Sequence, residues 1–443
     1  MIKVKLIAQT DKDVTTLSSH AAKTCYTATV PERGALIDVR ARLFQPGHHT
    51  TIEHNSFTFN IDGASVSSVV FGLHLNAPYY NSDQRSGRFS KMYSEPDLDE
   101  IDRYLKTFYP TENTAAAVRF IGQGLDVYRE NIDRLTTLAA ETIRTDRPLA
   151  NDKYIAQNAP KFAQEQLRMF VSQVMPTSLD MTLDMSALCA LWRVAWSPEM
   201  RMITDQMRDE VLRVQPDLSY MFAETARQNR DWSPRMNMTR PSVHTEPTCI
   251  LLSADPVIGE EPTAKDSVDI LPFSPMAMNN NTATITSEVS VSCATMGQDQ
   301  RHRSIRRGEP VMTGAFYLPP LLRMAGMQDV ALQYMQSYAD LSHVVSPALM
   351  TTIAPYGVMV MYRKSANWNA LRHEQGKRLC WCAQEEIYEL SCQLRDMIKN
   401  RVPALADRLA PPCYQGTCRE GVRFCGRQCN RTATPDYFVR RRV

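Results

Sequence analysis

The twelve residues Gln298-Asp299-Gln300-Arg301-His302-Arg303-Ser304-Ile305-Arg306-Arg307-Gly308-Glu309 place five arginine or histidine side chains beside two carboxylates. Like charges at this spacing repel, so a chain that folds around them must offer open solvent or a counter-charge. A solvated basic loop and a strip that binds a polyanion both satisfy that condition. The strip alone does not separate them.

The rest of the composition makes the strip a local feature. Over 443 residues the formal charge is only +2, so no general polyelectrolyte role toward nucleic acid or membranes follows. A chain this long exceeds one ordinary core and suggests two or three domains. The start, Met1-Ile2-Lys3-Val4-Lys5-Leu6-Ile7-Ala8, alternates like a strand and lacks a signal peptide's apolar core, and no apolar run reaches membrane-spanning length. Eleven scattered cysteines then fit a reducing, cytoplasmic setting better than a disulfide scaffold. The 23 methionines suggest a plastic, helix-rich interior.

In chain order, Asp11 to Ala28 is expected as a capped helix with Ala21, Ala22 and Cys25 on one face. Gly47-His48-His49-Thr50-Thr51-Ile52-Glu53-His54 follows as a histidine-rich turn, without the HExxH or paired-cysteine pattern of a metal site, and leads into the strand Ser56 to Ile61. The small and β-branched stretch Ala64 to Leu75 ends at Asn76-Ala77-Pro78. In Asp83-Gln84-Arg85-Ser86-Gly87-Arg88-Phe89-Ser90, hydroxyl, glycine and guanidinium stand in an order that suits either a phosphate cradle or a surface turn. Helices are expected over Ile101 to Ile143 (with Leu125, Tyr128, Ile132, Leu135 and Leu138 on one face), Phe162 to Val174 and Asp184 to Val214.

Prolines, Glu260-Glu261 and the run Asn279 to Asn281 mark a boundary zone over about 229 to 281, within which Cys249 to Leu252 reads as a strand. Beyond it the order of the first half recurs coarsely: strand Ala283 to Val291, the basic strip, then helices over Leu321 to His343, around Met359 and over Cys380 to Ile398. The tail carries Cys413, Cys418, Cys425 and Cys429. Gaps of four, six and three residues leave room for structural zinc but are not the paired CxxC knuckles that specify it.

At the strip the sequence resembles the flavin-dependent thymidylate synthases, whose Arg-His-Arg signature has a Gln before it and a Glu after it, as Gln298, Arg301, His302, Arg303 and Glu309 stand here. Pro355, Asn367 and Arg378 keep the family's spacing, and Ala383-Gln384-Glu385-Glu386-Ile387 is similar to its terminal helix. The first half resembles the same family elsewhere: Gly47-His48, Glu53-His54 and Phe57-Thr58-Phe59 match the flavin-side histidine loop, and Ser86-Gly87-Arg88-Phe89-Ser90 the substrate-phosphate loop. There Leu73-His74-Leu75 replaces Arg-His-Arg, while Pro310-Val311-Met312-Thr313 lacks the loop's Ser and Arg in the second half.

The resemblance implies an α+β chain of two tandem domains, each a small antiparallel sheet packed with long helices: a first copy at 1–230, a second at 231–405 and a Cys/Arg-rich tail at 406–443. It implies FAD held by His48, His54, Arg301, His302, Arg303, Asn367 and His373, with Arg301, His302, Arg303 and Glu309 serving the chemistry. It also implies a nucleotide held by Gln298, Ser86, Gly87, Arg88 and Arg378, methylenetetrahydrofolate and NADPH as co-substrates, and a homodimer acting as a pseudo-tetramer. The implied reaction is C5 methylation of dUMP. Two alternatives stay open: a C5 methylase or hydroxymethylase of another pyrimidine nucleotide, and a flavin- or nucleotide-binding homologue without turnover. Pro411-Pro412-Cys413-Tyr414 looks like the nucleophile segment of classical thymidylate synthases, yet its Cys- and Arg-rich surroundings favour a structural or zinc-binding thiol.

Overall fold

The computed structural model describes residues 2–74, 80–88, 97–228, 234–255, 284–406, 408–416, 418, 420–427, 429 and 437–443. The expectations placed on Leu75, Asn76-Ala77-Pro78, Phe89, Ser90, Glu260-Glu261 and Asn279 to Asn281 lie outside the described residues. The fold is α+β, and its contacts divide it into two compact units: Met1–Ala115 with Gln173–Ser233 and Val345–Ile353, and Ala116–Ser172 with Pro234–Val344 and Ala354–Val443.

The first unit holds an antiparallel sheet of β1 (Lys3–Gln9), β2 (Ser56–Ser65), β3 (Tyr80–Gln84) and β4 (Pro176–Asp184) in the order β1-β2-β4-β3. Period-two alternation turns Phe57, Phe59 and Ile61 of β2 into the core. Gly63, at a positive φ of 78°, sits where the β2–β4 register shifts by one residue. Edge strand β1 is covered by side chains of the helix Pro198–Val214: Gln206 accepts from the Val4 N–H and Glu210 from the Leu6 N–H, each at 3.0 Å.

Several expected helices prove shorter or divided at residues that explain the break, and one is displaced. The first spans only Val14–Thr24, because Asp13 caps it by accepting from the Thr16 N–H. Asp184 closes β4 and caps Met185–Arg193, and Ser197 with Pro198 starts a separate helix to Val214. Pro110 falls between Leu98–Phe108 and Thr114–Asp146, where one helix was expected. The helix expected over Phe162 to Val174 starts earlier, at Asp152, and ends at Leu167.

The second unit's sheet has β5 (Arg235–His244), β6 (Thr248–Ala254), β7 (Thr284–Ser292), β9 (Val311–Tyr317) and β10 (Val358–Asn367) in the order β5-β9-β10-β7-β6, with β8 (Arg306–Arg307) also on β10. The β5–β9 pair is parallel, so this sheet departs from the all-antiparallel expectation. The intervening chain is long enough for the crossover that parallel neighbours need. The helix expected around Met359 is instead β10: Val358, Val360 and Tyr362 are buried, alternating further along with exposed Met361 and Arg363. Alternation and β-branched content outweigh the methionines. Gly326, at φ +72°, divides Leu321 to His343 into Pro320–Met324 and Gln328–Leu341. The expected helix from Cys380 begins only at Glu385, so Cys380 and Cys382 lie in a turn after Trp368–Arg378. Within this unit the helix Thr114–Asp146 buries Leu125, Tyr128 and Leu135, with Ile132 and Leu138 half-buried. No helix among the described residues is long and apolar enough to cross a membrane.

The two units carry the same local device. In the first, β2 ends at Ser65, which caps the following turn by accepting from the Ser68 N–H, and its hydroxyl donates to buried Glu199 at 2.9 Å. In the second, β7 ends at Ser292, which caps Cys293–Asp299 by accepting from the Thr295 N–H, and its hydroxyl donates to buried Glu386. Glu199 and Glu386 are each the second residue of a seventeen-residue helix. The register repeats too. Asp184, ending β4, lies opposite Ser56 at the start of β2, and Asn367, ending β10, lies opposite Thr284 at the start of β7; both are N-caps.

Candidate functional site

The basic strip begins where the helix Cys293–Asp299 ends, and its first carboxylate supplies the counter-charge. Asp299 is fully buried and accepts from Arg307 Nε at 2.7 Å, Lys364 Nζ at 2.5 Å and the Tyr362 hydroxyl at 2.8 Å. Lys364 also donates to buried Glu374 at 2.7 Å. Two cations and two carboxylates form a neutral internal network. Burial pushes the Asp299 carboxyl up, but Arg307 and Lys364 outweigh it and hold the group well below the usual carboxylate range. Burial lifts Glu374, against the pull of Lys364.

This corrects the view of the strip as a single cluster in need of a ligand. Arg307 has an internal partner, while Arg301, Arg303 and Arg306 are exposed. Between them His302 is half-buried, its ring 5.4 Å from that of His373 at an interplanar angle of 70°. Burial, the Arg378 guanidinium and His373, in that order, drive the His302 pKa well below the ordinary histidine value. It is therefore a neutral imidazole at neutral pH, flanked by exposed cations, and not a third positive charge.

Arg378 stands at the end of Trp368–Arg378 and donates to the Gln298 carbonyl at 2.6 Å, which fixes the guanidinium beside the strip. Asn367 uses its Oδ1 to accept from the Ala370 N–H at 2.8 Å as the cap of that helix. The Gln298 side chain donates to Gln384 and, at 3.5 Å, to the Ala294 carbonyl. Glu309 is exposed, 3.8 Å from Arg235, a surface pair of little energetic weight. Gln298, Arg301, His302, Arg303, His373 and Arg378 thus all stand at or beside the strip, and Asn367 caps the helix that carries His373 and Arg378. Glu309 lies at its solvent end.

Among the described residues, buried Gln298 Oε1, Gln375 Oε1, Glu374 Oε2 and Gln384 Nε2 have no hydrogen-bond partner. A protein leaves such atoms bare only at a cost of about 1 to 3 kcal/mol each unless water or a ligand meets them. Glu374 and Gln375 face a separate cavity with Cys249 and Lys364, while Gln298 Oε1 and Gln384 Nε2, on side chains bonded to each other at the start of the strip, offer an acceptor and a donor to the edge of a planar heterocycle. That donor set fits FAD.

In the first unit, His48 and His54 are exposed in the turn before β2. His49 packs its ring 5.7 Å from Phe44. Ser86 Oγ accepts from the Arg88 N–H at 3.3 Å, with Ser86, Gly87 and Arg88 half-buried in a turn after β3. His74, at the position of the missing Arg-His-Arg, hydrogen-bonds Ser82 at 2.8 Å and stacks on Tyr80.

Sequence reasoning passed over two further sets. One is Asp299, Tyr362, Lys364 and Glu374, for which alternation along β10 was the available signal, since it points Tyr362 and Lys364 the same way. The other joins the tail: Cys413, Cys418, Cys425 and Cys429 line one cavity together with Cys380 and Cys382, whose C-x-C spacing was present in the sequence.

Compared with known proteins, residues 5–217, just under half of the chain, match the family described as Thymidylate synthase complementing protein. The match includes His48, His54, Ser86, Gly87 and Arg88 and none of the residues around the strip. It therefore falls on the half that lacks Arg-His-Arg, although the motif resemblance was the more specific in the other half. No curated protein matches. Among solved structures, a UMP/dUMP methylase, PolB, from Streptomyces cacaoi bound with 5-Br dUMP is 15% identical with a TM-score of 0.34, over 50% of this chain and 94% of that one. Thymidylate Synthase X (ThyX) from Helicobacter pylori, with FAD and dUMP, is 17% identical with a TM-score of 0.30, over 52% of this chain and all of that one. Likenesses of this size carry no argument about residues.

Proposed function

We propose, from the match of residues 5–217 to the family described as Thymidylate synthase complementing protein, that the chain is a flavin-dependent enzyme that methylates C5 of a pyrimidine nucleotide, dUMP first among them. The family match is the observation that carries the reading, and the Arg-His-Arg strip with its bare polar atoms supports it. FAD, when bound, supplies the hydride that reduces a transferred methylene carbon to methyl, with methylenetetrahydrofolate as carbon donor and NADPH as the source of reducing equivalents.

The chain's own residues have distinct tasks. Arg301 and Arg303 present exposed positive charge for an anionic group, and neutral His302 offers one ring N–H and one bare ring nitrogen. His373 packs on it and Arg378 holds positive charge beside it. Gln298 and Gln384 offer amide edges to a heterocycle, Asn367 fixes the helix that carries His373 and Arg378, and Glu309 balances charge at the solvent end. In the first unit Ser86, Gly87 and Arg88 suit a phosphate, and His48 and His54 a flavin's edge. The repeated Ser–Glu device and strand register support two copies of one ancestral domain. A homodimer then brings together four such domains.

The test starts with the spectrum of the purified protein. FAD should copurify or bind on addition, and tritium should leave C5-labelled dUMP when methylenetetrahydrofolate and NADPH are present. Arg301→Ala should weaken FAD binding about tenfold, the weight of one charge-assisted contact at an exposed site. A protein that binds no FAD, or one that binds it and releases tritium from neither dUMP nor UMP, overturns the proposal. Release from UMP alone reassigns the acceptor.

A further inference from the structure

Six thiols line one small cavity in the second unit: Cys380 and Cys382 from the turn before Glu385–Arg401, and Cys413, Cys418, Cys425 and Cys429 from the tail. None of the six forms a disulfide. We propose that this cavity is a structural zinc site, a single Zn²⁺ held tetrahedrally by four of these thiolates, with Cys380 and Cys425 as its fixed ligands.

Three observations carry the assignment. The first is convergence from distant sequence: the turn and the tail are linked by a whole helix and come together only through folding, on sulfur. Zinc is the divalent ion that four thiolates at about 2.3 Å suit best in a closed site. The second is size. The cavity is small, about 20 Å³, and seats a single ion among the thiols.

The third is charge. A zinc ion with four thiolates carries a net charge of −2, which a protein interior accepts only beside cations. Three guanidiniums are buried here. Arg147 donates to the carbonyls of Cys425 (2.8 Å), Trp381 (3.2 Å) and Val443 (2.8 Å). Arg441 donates to the Trp381 carbonyl at 2.9 Å, and Arg427 stacks 3.7 Å from the Trp381 ring centre. Trp381 lies between Cys380 and Cys382, so positive charge surrounds the turn that presents the thiols.

Cys380 and Cys425 are the buried members, one from each segment, and Cys425 is positioned through its own carbonyl by Arg147. The other four are half-buried, with Cys413 Sγ 2.9 Å from the Tyr437 hydroxyl and Cys382 Sγ 3.0 Å from the Arg423 carbonyl. In this arrangement no group of three or more His, Cys, Asp or Glu side chains among the described residues stands in finished metal geometry. The assignment therefore requires the sulfurs to turn about their Cα–Cβ bonds into the cavity when zinc binds.

The full chain, expressed with zinc in the medium and purified under a thiol-free reductant, should contain about one zinc per chain by plasma mass spectrometry. Mercurial titration of the thiols should release it to a chromogenic chelator. Cys380→Ser and Cys425→Ser should each lose the metal, and Cys189→Ser, in the first unit, should retain it. Because a tail variant can fail by unfolding, cobalt exchange of the unaltered chain gives an independent readout: tetrahedral thiolate coordination should produce long-wavelength d–d bands beyond any flavin absorption. A chain with no zinc and no such bands overturns the proposal. So does iron with acid-labile sulfide, or disulfide pairing of these cysteines in peptide maps of protein isolated under alkylation.

Discussion

Replacing Glu386 by Gln isolates one buried proton. Glu386 is fully buried and accepts from the Ser292 N–H at 2.6 Å, from the Ser292 hydroxyl, and from the Thr295 hydroxyl at 2.7 Å. Burial outweighs these donors and lifts its pKa from 4.5 to about 7. A carboxyl whose folded pKa is raised stabilises most below its unfolded value, and that share is lost as pH climbs through the folded one. The loss accumulates between about pH 4.5 and pH 7, and at 1.36 kcal/mol per unit it amounts to about 3 kcal/mol. Glutamine keeps the shape and removes the titration. In urea unfolding followed at about pH 5, 6, 7 and 8, the wild-type free energy should fall by about 3 kcal/mol more across that range than the variant's. Neighbouring Glu385, lifted to about 8 first by burial and then by Glu165, remains in both proteins, so the difference between the curves belongs mainly to residue 386. Parallel curves would refute the reasoning. Glu386→Ala, which leaves the Ser292 and Thr295 donors bare, should cost about 3 kcal/mol at low pH as well.

Asp299→Asn leaves Arg307 and Lys364 short of a buried anion and should destabilise the fold by at least about 3 kcal/mol in the same assay, where loss of less than about 1 kcal/mol would show the network to be dispensable. Arg378→Met removes the second-ranked cause of the depressed His302 pKa, so NMR titration should find that pKa raised yet still below the ordinary value because burial persists, and the nucleotide KM should rise. An unmoved His302 would separate it from Arg378. Gly124→Ala drives a Cβ into the Phe170 carbonyl oxygen and the Tyr334 hydroxyl, and should lower Tm by an amount equivalent to about 1 to 3 kcal/mol; an unchanged Tm would mean that the helix Thr114–Asp146 shifts freely.

How much was legible in the sequence depended on whether a signal was local. Strand β2 is legible from its alternation, and so are the Ser-Pro and Gly breaks that divide the helices, although the apolar period continues across them. Strand β10 was missed because Met359 and Met361 suit a helix as well as a sheet, and its identity rests on cross-strand partners far away in sequence. The strip's residues were legible as a group. Their division into buried Arg307 and exposed Arg301 and Arg303 was not, because it is decided by Asp299 meeting Lys364, sixty-five residues later. Likewise the gaps between the tail cysteines left zinc open without specifying it, because two more thiols of the same cavity, Cys380 and Cys382, arrive from before the preceding helix.

The strand order of the second unit bears on how the chain emerges during synthesis. β6 pairs with β7, and β5 pairs with β9, but β10 lies between β9 and β7 and is made last. Until Val358–Asn367 leaves the ribosome the sheet exists at most as separate two-stranded ribbons, which are marginal in water. The strand that joins them also delivers Tyr362 and Lys364 to Asp299, so sheet closure adds the second cation and the hydroxyl to the one guanidinium, Arg307, that the strip itself supplies. A nascent chain halted before Val358 presents unpaired strand edges and an Asp299 network that lacks Lys364, and exposed strand edges are what makes such species prone to aggregate.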